Sequence, residues 1–258
     1  MAAGLRVLFA AALAAGCALP PAAHAAGLRI SPLRLDVSAS HPSAQVELSN
    51  LGAQPVPVQV FAYAWRQENG QDVYEPTKDV FFAPPIVTVP ASGKALVRLR
   101  LRAAAPASGE AAYRIYFQEL PGPAEQQTSQ MSFQLRFGVP LFVSARKPGA
   151  PALDAQVARE GDVVRLHLAN RGSAHLKVLG VDVFDDSVDR EQPERAPLAT
   201  QVGNAQGSSY LLPGSSGDWT VSAPAGAAWL LVRTDDYSGG AAKGMNARGW
   251  LWLRADGA

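Results

Sequence analysis

Met131-Ser-Phe-Gln-Leu-Arg-Phe-Gly-Val-Pro-Leu-Phe-Val143 is the stretch whose reading decides the fold. Side chains of a strand alternate between its faces, so Met131, Phe133, Leu135, Phe137 and Val139 share one face. Ser132, Gln134, Arg136, Gly138 and Pro140 share the other. An apolar row of this length either fills its own core or is offered to another protein. Exposed and unpartnered, it would template aggregation. The polar run Gln126-Gln-Thr-Ser-Gln130 leads into it, with the composition of an element that orders on binding.

The sequence on either side is rich in strand signals and poor in helical ones. Leu28 to Val37 alternates around Ile30, Leu33 and Leu35, and Gln45 to Leu48 and Val56 to Tyr63 follow, with a turn at Asn50-Leu-Gly52. Val80 to Val89 contains two prolines and suits an edge or a bulge. Ala95 to Leu101 alternates between Leu96/Arg98/Arg100 and Ala95/Val97/Leu99/Leu101. Tyr113 to Leu120 and Met131 to Val143 complete a set of about seven short strands, the pattern of an antiparallel sandwich. Arg146-Lys-Pro-Gly-Ala-Pro151 marks a domain boundary. A second all-β set follows: Leu153–Val157, Val163–Leu168, His175–Phe184, Ser209–Leu212, Asp218–Ser222, Trp229–Thr234 and Trp250–Leu253. The halves share a strand pattern but no evident sequence repeat.

Residues 1–25 read as an export signal: Arg6, an apolar Val7 to Leu19, then small residues at Ala23-His24-Ala25. Leu13-Ala-Ala-Gly-Cys17 is a rival signal that would put a lipid on Cys17. Cys17 is the only cysteine, so cleavage after Ala25 leaves none, and the exported chain must rely on its apolar core. The expected division is residues 26–147 and 148–258, two domains of about 100–120 residues each. Formal net charge is +1, which gives no field for a nucleic-acid or polyacidic partner.

The inventory for catalysis is thin. His41, His167 and His175 have no second ligand at a metal-binding spacing, and neither a nucleophile elbow nor a phosphate-binding loop is present. Neither an enzyme nor a cofactor or metal site is therefore expected. Asp182, Asp185, Asp186 and Asp189, with Asp235 and Asp236, read as solvated loop charge. Trp250 and Trp252, two apart on one strand face, leave open a sugar-binding face with Asp235 and Asp236, and so a secreted adhesin or carbohydrate-binding module. Arg34, Arg114 and Arg136 stand on strands, where guanidinium forks near a domain junction suit a carboxylate.

Taken together, Ile30-Ser-Pro-Leu-Arg34, Asn50 with Pro55–Val60, Tyr113-Arg-Ile-Tyr-Phe-Gln-Glu-Leu-Pro121, Phe133–Val143, Leu166-His-Leu-Ala-Asn170-Arg-Gly172 and Leu212-Pro-Gly214 resemble the periplasmic chaperones of the chaperone–usher pathway. The balance of features is most similar to the archaic branch that serves spore-coat-U-like pilins. The resemblance implies two immunoglobulin-like sandwiches in an L or boomerang shape. It implies pilin subunits as partners, each lacking its last strand. The chaperone's own strand complements that groove until an outer-membrane usher receives the subunit. Carried onto this chain, Met131, Phe133, Leu135 and Phe137 match the inserting positions, and Arg34 matches the first-strand arginine that holds the subunit's terminal carboxylate. Relatives carry a second anchor, a lysine, where this chain has Pro140, which has neither charge nor N–H. Arg114 is its expected replacement, with Arg136 the other candidate. Self-association of the free chaperone to hide the apolar row is a further expectation.

Overall fold

The computed structural model describes residues 27–121, 134–147, 149–205, 207–235 and 245–256, and every regular element among them is a strand. In the first half these are β1 (Leu28–Ser31), β2 (Leu35–Ser38), β3 (Ser43–Asn50), β4 (Val56–Glu68), β5 (Gln71–Pro76), β6 (Val80–Ala83), β7 (Ile86–Val89), β8 (Lys94–Leu101), β9 (Glu110–Glu119) and β10 (Arg136–Ser144). They form two sheets, ordered β1-β3-β8-β6 and β2-β10-β9-β4-β5, with β7 also on β4. Alternate residues from both meet in one core: Val46 and Leu48, Val58 and Val60, Val97 and Leu99, Ile115 and Phe117, Val139 and Leu141.

Two of the seven expected strands split, for the same reason. Leu28–Val37 is interrupted at Pro32 and Val80–Val89 at Pro84-Pro85; proline cannot donate to a ladder, so pairing stops there. At both breaks the chain crosses between sheets. β1 pairs with β3 but β2 with β10, and β6 pairs with β8 but β7 with β4. β5 was not anticipated. Its signal was the Asn69-Gly70 dipeptide, whose positive φ values of 51° and 76° make the tight turn that sends β4 back as a hairpin. The strand expected over Met131–Val143 begins at Arg136, and Met131 and Phe133 lie outside the described residues.

The second half forms β11 (Leu153–Glu160), β12 (Val163–Asn170), β13 (Leu176–Asp185), β14 (Ala199–Gln201), β15 (Tyr210–Leu211), β16 (Ser216–Ser222), β17 (Ala227–Thr234) and β18 (Trp250–Arg254). Sheet β11-β12-β16 faces sheet β14-β13-β17-β18, with β15 on β13, around Leu166, Leu168, Val181, Val183, Leu230 and the fully buried Trp219. The chain is thus an all-β protein of two sandwiches.

A short repeat links the halves after all. Val46-Glu-Leu-Ser-Asn50-Leu-Gly52 and Leu166-His-Leu-Ala-Asn170-Arg-Gly172 each end a core strand on a buried asparagine. Asn50 donates Nδ2 to the carbonyl oxygens of Gln54, Val89 and Pro90, and its Oδ1 accepts the Gly52 N–H. Asn170 donates to Ala174 and Leu211 and accepts from Ala152 and Gly172. Each amide stands in for missing ladder bonds where the chain turns, a full set of partners that lets a polar group be buried.

The two sandwiches meet along a seam of Trp65, Phe142, Tyr210 and Leu212, flanked by Tyr74. Gln67 from β4 spans it, donating to the Tyr210 carbonyl and accepting the Leu212 N–H. Asp72 beside it accepts from Trp65 Nε1, Gln67 Nε2 and the Tyr74 hydroxyl. His175, expected at the start of a strand after a turn, is buried in this seam. Its ring stacks on Phe142 with centroids 3.3 Å apart, while its backbone N–H donates to Glu110, whose carboxylate also lies 2.7 Å from Nδ1.

Candidate functional site

Neighbours of β10 differ along its length. Leu141 to Ser144 lie between β9 and the parallel strand β2. Arg136 to Pro140 pair with β9 alone, so among the described residues their other backbone edge is unoccupied. Leu135 is tied to the end of β9, its carbonyl accepting the Glu119 N–H and its own N–H donating to the Glu119 carboxylate. Its side chain is still 41% exposed, whereas Phe137 packs partly onto the first core. Beside this edge, Leu33 is 73% exposed at the start of β2.

A strand laid in the empty lane would end where β2 begins. Arg34 immediately precedes Leu35, which pairs with Leu141; Pro140 pairs with Arg114, and Arg114 with Tyr63. Arg34 and Arg114 therefore flank Pro140 in one cross-strand row, with backbones about 10 Å apart by ladder spacing. Arg136 pairs with Gln118, four residues along β10, or about 13 Å from that row.

The arginines differ in their surroundings. Arg34 is ion-paired twice, with Asp36 at 3.0 Å and, across the seam, with Asp235 at 3.2 Å. Arg114 makes no ion pair among the described residues and stacks instead over Trp65 at 4.5 Å and Tyr74 at 5.9 Å. Its flat face is held by Trp65, one donor engages the Tyr74 hydroxyl, and the rest of its five N–H groups can meet an anion. Arg136 lies over Tyr116 at 4.0 Å, and Tyr116 meets Tyr63 and Tyr74 edge-on. A ladder of rings and guanidinium groups thus runs from the open edge to Tyr210 of the second sandwich. Gly138 belongs to it, since a Cβ there would sit 2.9 Å from the Tyr116 ring.

Charge in the cleft follows burial. Desolvation pushes the Tyr74 and Tyr210 phenols up, and Arg114 works against the rise in both; Arg34 does so at Tyr210 as well. Asp235 is raised by burial despite the Lys177 N–H it accepts and the Arg34 charge beside it. It is therefore not the solvated loop charge expected of it. Asp182 also departs from that expectation. It is buried on β13, bonded at 2.6 Å to Arg233 and at 2.7 Å to the Thr200 hydroxyl.

Of the sequence-derived site residues, Arg34 and Arg114 come together, while Leu135 and Phe137 lie on the open edge. Met131 and Phe133 fall outside the described residues. Sequence reasoning missed Trp65, Tyr74, Tyr210 and the inward aim of Asp235. Only the first two left a signal, the alternation that sets them on the outer face with Arg114. The two tryptophans left open as a sugar-binding face carry contacts of the protein's own, with Arg248 over Trp250 at 5.0 Å and Trp252 Nε1 donating to the Arg190 carbonyl at 3.1 Å.

A family model described as "Pili and flagellar-assembly chaperone, PapD N-terminal domain" matches residues 27–147. Among solved structures, the chain is similar to that of the CsuC–CsuE chaperone–tip adhesion subunit pre-assembly complex from archaic chaperone-usher Csu pili of Acinetobacter baumannii. The TM-score is 0.61 at 20% identity, over 89% of this chain and 98% of that one. It is also similar to that of the Salmonella enterica SafA pilin in complex with the SafB chaperone (0.57, 14% identity, 90% and 98%). The Pseudomonas aeruginosa CupB2 chaperone is a third (0.52, 18% identity, 88% and 98%). No curated protein matches the sequence.

Proposed function

We propose that this chain, whose residues 27–147 match the model of the PapD N-terminal domain of pilus- and flagellar-assembly chaperones, is a chaperone of that kind and captures incomplete-sandwich pilin subunits by donor-strand complementation. The observation that carries this reading is the open backbone edge at Arg136–Pro140. A foreign strand added there gains main-chain hydrogen bonds, and the alternate side chains of the edge enter its groove. Phe137, Leu135, Phe133 and Met131 are the inserting residues on this reading. Each contributes about 1.5–3 kcal/mol when fully buried.

A subunit strand running parallel to β10 would bring its C-terminus to the start of β2. Its carboxylate is then received by Arg34 and Arg114, with Arg114 in the role that relatives give to a lysine at the Pro140 position. Residues 1–25 direct the chain to the periplasm, and residues 26–147 and 148–258 act as its two domains. An outer-membrane usher takes the subunit from it, and the free chaperone self-associates through the same edge. The archaic branch of the pathway is the best fit, on the chain motifs and the likeness to the archaic Csu complex.

The test is a tagged pull-down from the periplasm of the native organism, with mass spectrometry of stoichiometric partners. A small secreted protein with an N-terminal extension and an incomplete sandwich pattern is expected. A clean monomer from cells making pili would overturn the reading.

A further inference from the structure

The outer face of the β1-β3-β8-β6 sheet lies away from the cleft and has its own charge pattern. Leu96, Arg98 and Arg100 share that face of β8, and Arg102 continues the same parity just beyond it. Lys94 begins the row and is paired to Glu47 at 2.8 Å, and Glu47 is the acid that β3 brings to this face. Arg29 on β1 adds a further cation, opposite Ser49. Across from Arg98 stand Gln45 and Ala83, and across from Arg100 stand Ser43 and Phe81, so among the described residues no acid stands opposite either; Asp79 lies beside Arg102, whose backbone N–H donates to its carbonyl. Arg98 and Arg100 have no ion-pair or hydrogen-bond partner among the described residues, and Arg102 lies 5.1 Å over the Phe81 ring. Phe81 and Leu96 are 45% and 43% exposed. Such a strip stands out in a protein whose formal net charge is only +1.

We propose that the Arg98–Arg100–Arg102 row is a docking site for an extended acidic protein segment, with carboxylates at alternate positions meeting successive guanidinium groups. The spacing argues for this partner. Alternate residues of one strand stand about 6.6–6.8 Å apart, and the side chains of any extended chain laid along it repeat at the same interval. Each carboxylate then meets one fork, and charge-assisted bonds replace water on both sides. Phe81 and Leu96 offer apolar contact beside the charges. β8 lies between β3 and β6 and has no free backbone edge, so the segment crosses the face through side chains and adds no strand. An anionic membrane fits less well. Neighbouring strands rotate by about 20–25°, so the cations that keep one line are those of a single strand.

The site is independent of the subunit-binding edge and is tested without a subunit. Fluorescence anisotropy of the full chain is measured with a labelled peptide of about twelve residues alternating Asp and Thr, long enough to span the row. A second peptide has the same composition with its acids in one block, and a third probe is vesicles with about 30 percent phosphatidylglycerol. The alternating peptide is expected to bind at least about fivefold more tightly than the blocked one, and binding should weaken as salt shortens the screening length. Arg98→Glu with Arg100→Glu should cost at least about tenfold, and Arg98→Gln with Arg100→Gln at least about threefold, while Arg165→Glu on the second sandwich changes nothing. Circular dichroism melting establishes that each variant is folded. Equal affinity for the two peptides, indifference to both double variants, or binding to the vesicles alone would each overturn the proposal.

Discussion

From Leu141 to Ser144, β10 has β2 on one side and β9 on the other, and Leu141, Phe142 and Val143 are buried. From Arg136 to Pro140 it has, among the described residues, β9 alone, and Leu135 just beyond is exposed. Alternation of side chains continues through both halves, so composition does not distinguish them. What does is a second strand, four residues long, that closes one half and stops. Proline is tolerated in strands mainly at edges, and Pro140 stands at the join, on the open side of it. One continuous strand can therefore anchor a core at one end and present a template at the other.

Substitutions in the two halves should behave oppositely. Leu141→Ala opens a cavity in a closed, fully packed region and should destabilise the first sandwich by about 2–5 kcal/mol in urea unfolding. Phe133→Asp with Leu135→Asp in the open half should leave that midpoint nearly unchanged. The same pair should abolish subunit capture, a loss of at least about a hundredfold, because the charges would be buried unpaired in the partner. Normal capture by this variant would break the comparison. A large loss of stability would show that the upper half is core as well.

The two arginines sharpen it next. Removing a hydrogen bond to a charged group costs about 1.5–3 kcal/mol, or about ten- to a hundredfold in capture. Arg114→Ala should fall at the upper end, since Arg114 has no competing carboxylate among the described residues, and Arg34→Ala at the lower end. Arg114→Lys should recover only part, because an ammonium cannot stack flat on Trp65 while offering a fork. Titration calorimetry with a purified subunit and with one lacking its terminal residues separates the anchor from the groove. The ranking fails if Arg34→Ala costs more.

Asp235 gives the smallest effect. Burial raises its pKa above the ordinary 3.8, so the folded chain holds that proton more tightly than the unfolded chain does. Stability attributable to it is greatest when it is protonated and falls as pH rises through the interval above 3.8. Asp235→Asn should match the parent at the acid end of that interval and become the more stable of the two as pH rises through it. Paired thermal melts across the carboxylate range measure this. The opposite trend would mean that the Arg34 pairing outweighs desolvation.

Much of the first sandwich was legible because its core positions keep a period of two: Val97, Leu99 and Leu101, or Tyr113, Ile115 and Phe117, can face only one way. Where prolines split a strand, the break was visible but not its meaning, since which sheet each fragment joins depends on pairing far away in the chain. Arg34 and Arg114 were legible as strand arginines through the family resemblance. Their common row was not, because β2 reaches β10 through a parallel pairing between residues about a hundred positions apart, which no local pattern encodes. His175 read as a strand start and Asp235 as a loop residue; that both are buried depends on Phe142 and Glu110 for the one, and on Lys177 and Arg34 for the other, all distant in the chain.

The sequence by itself determined that this is an all-β chain of two sandwiches with a long apolar strand and arginines on its neighbours, because alternation and turn chemistry are local. Only the tertiary structure decided which half of that strand is closed, that Arg34 is held by Asp235 while Arg114 is held by rings, and that Arg98 and Arg100 face no counter-charge among the described residues. These are properties of surfaces brought together from distant segments. Whether a group is buried, paired or open depends on what the rest of the chain lays against it.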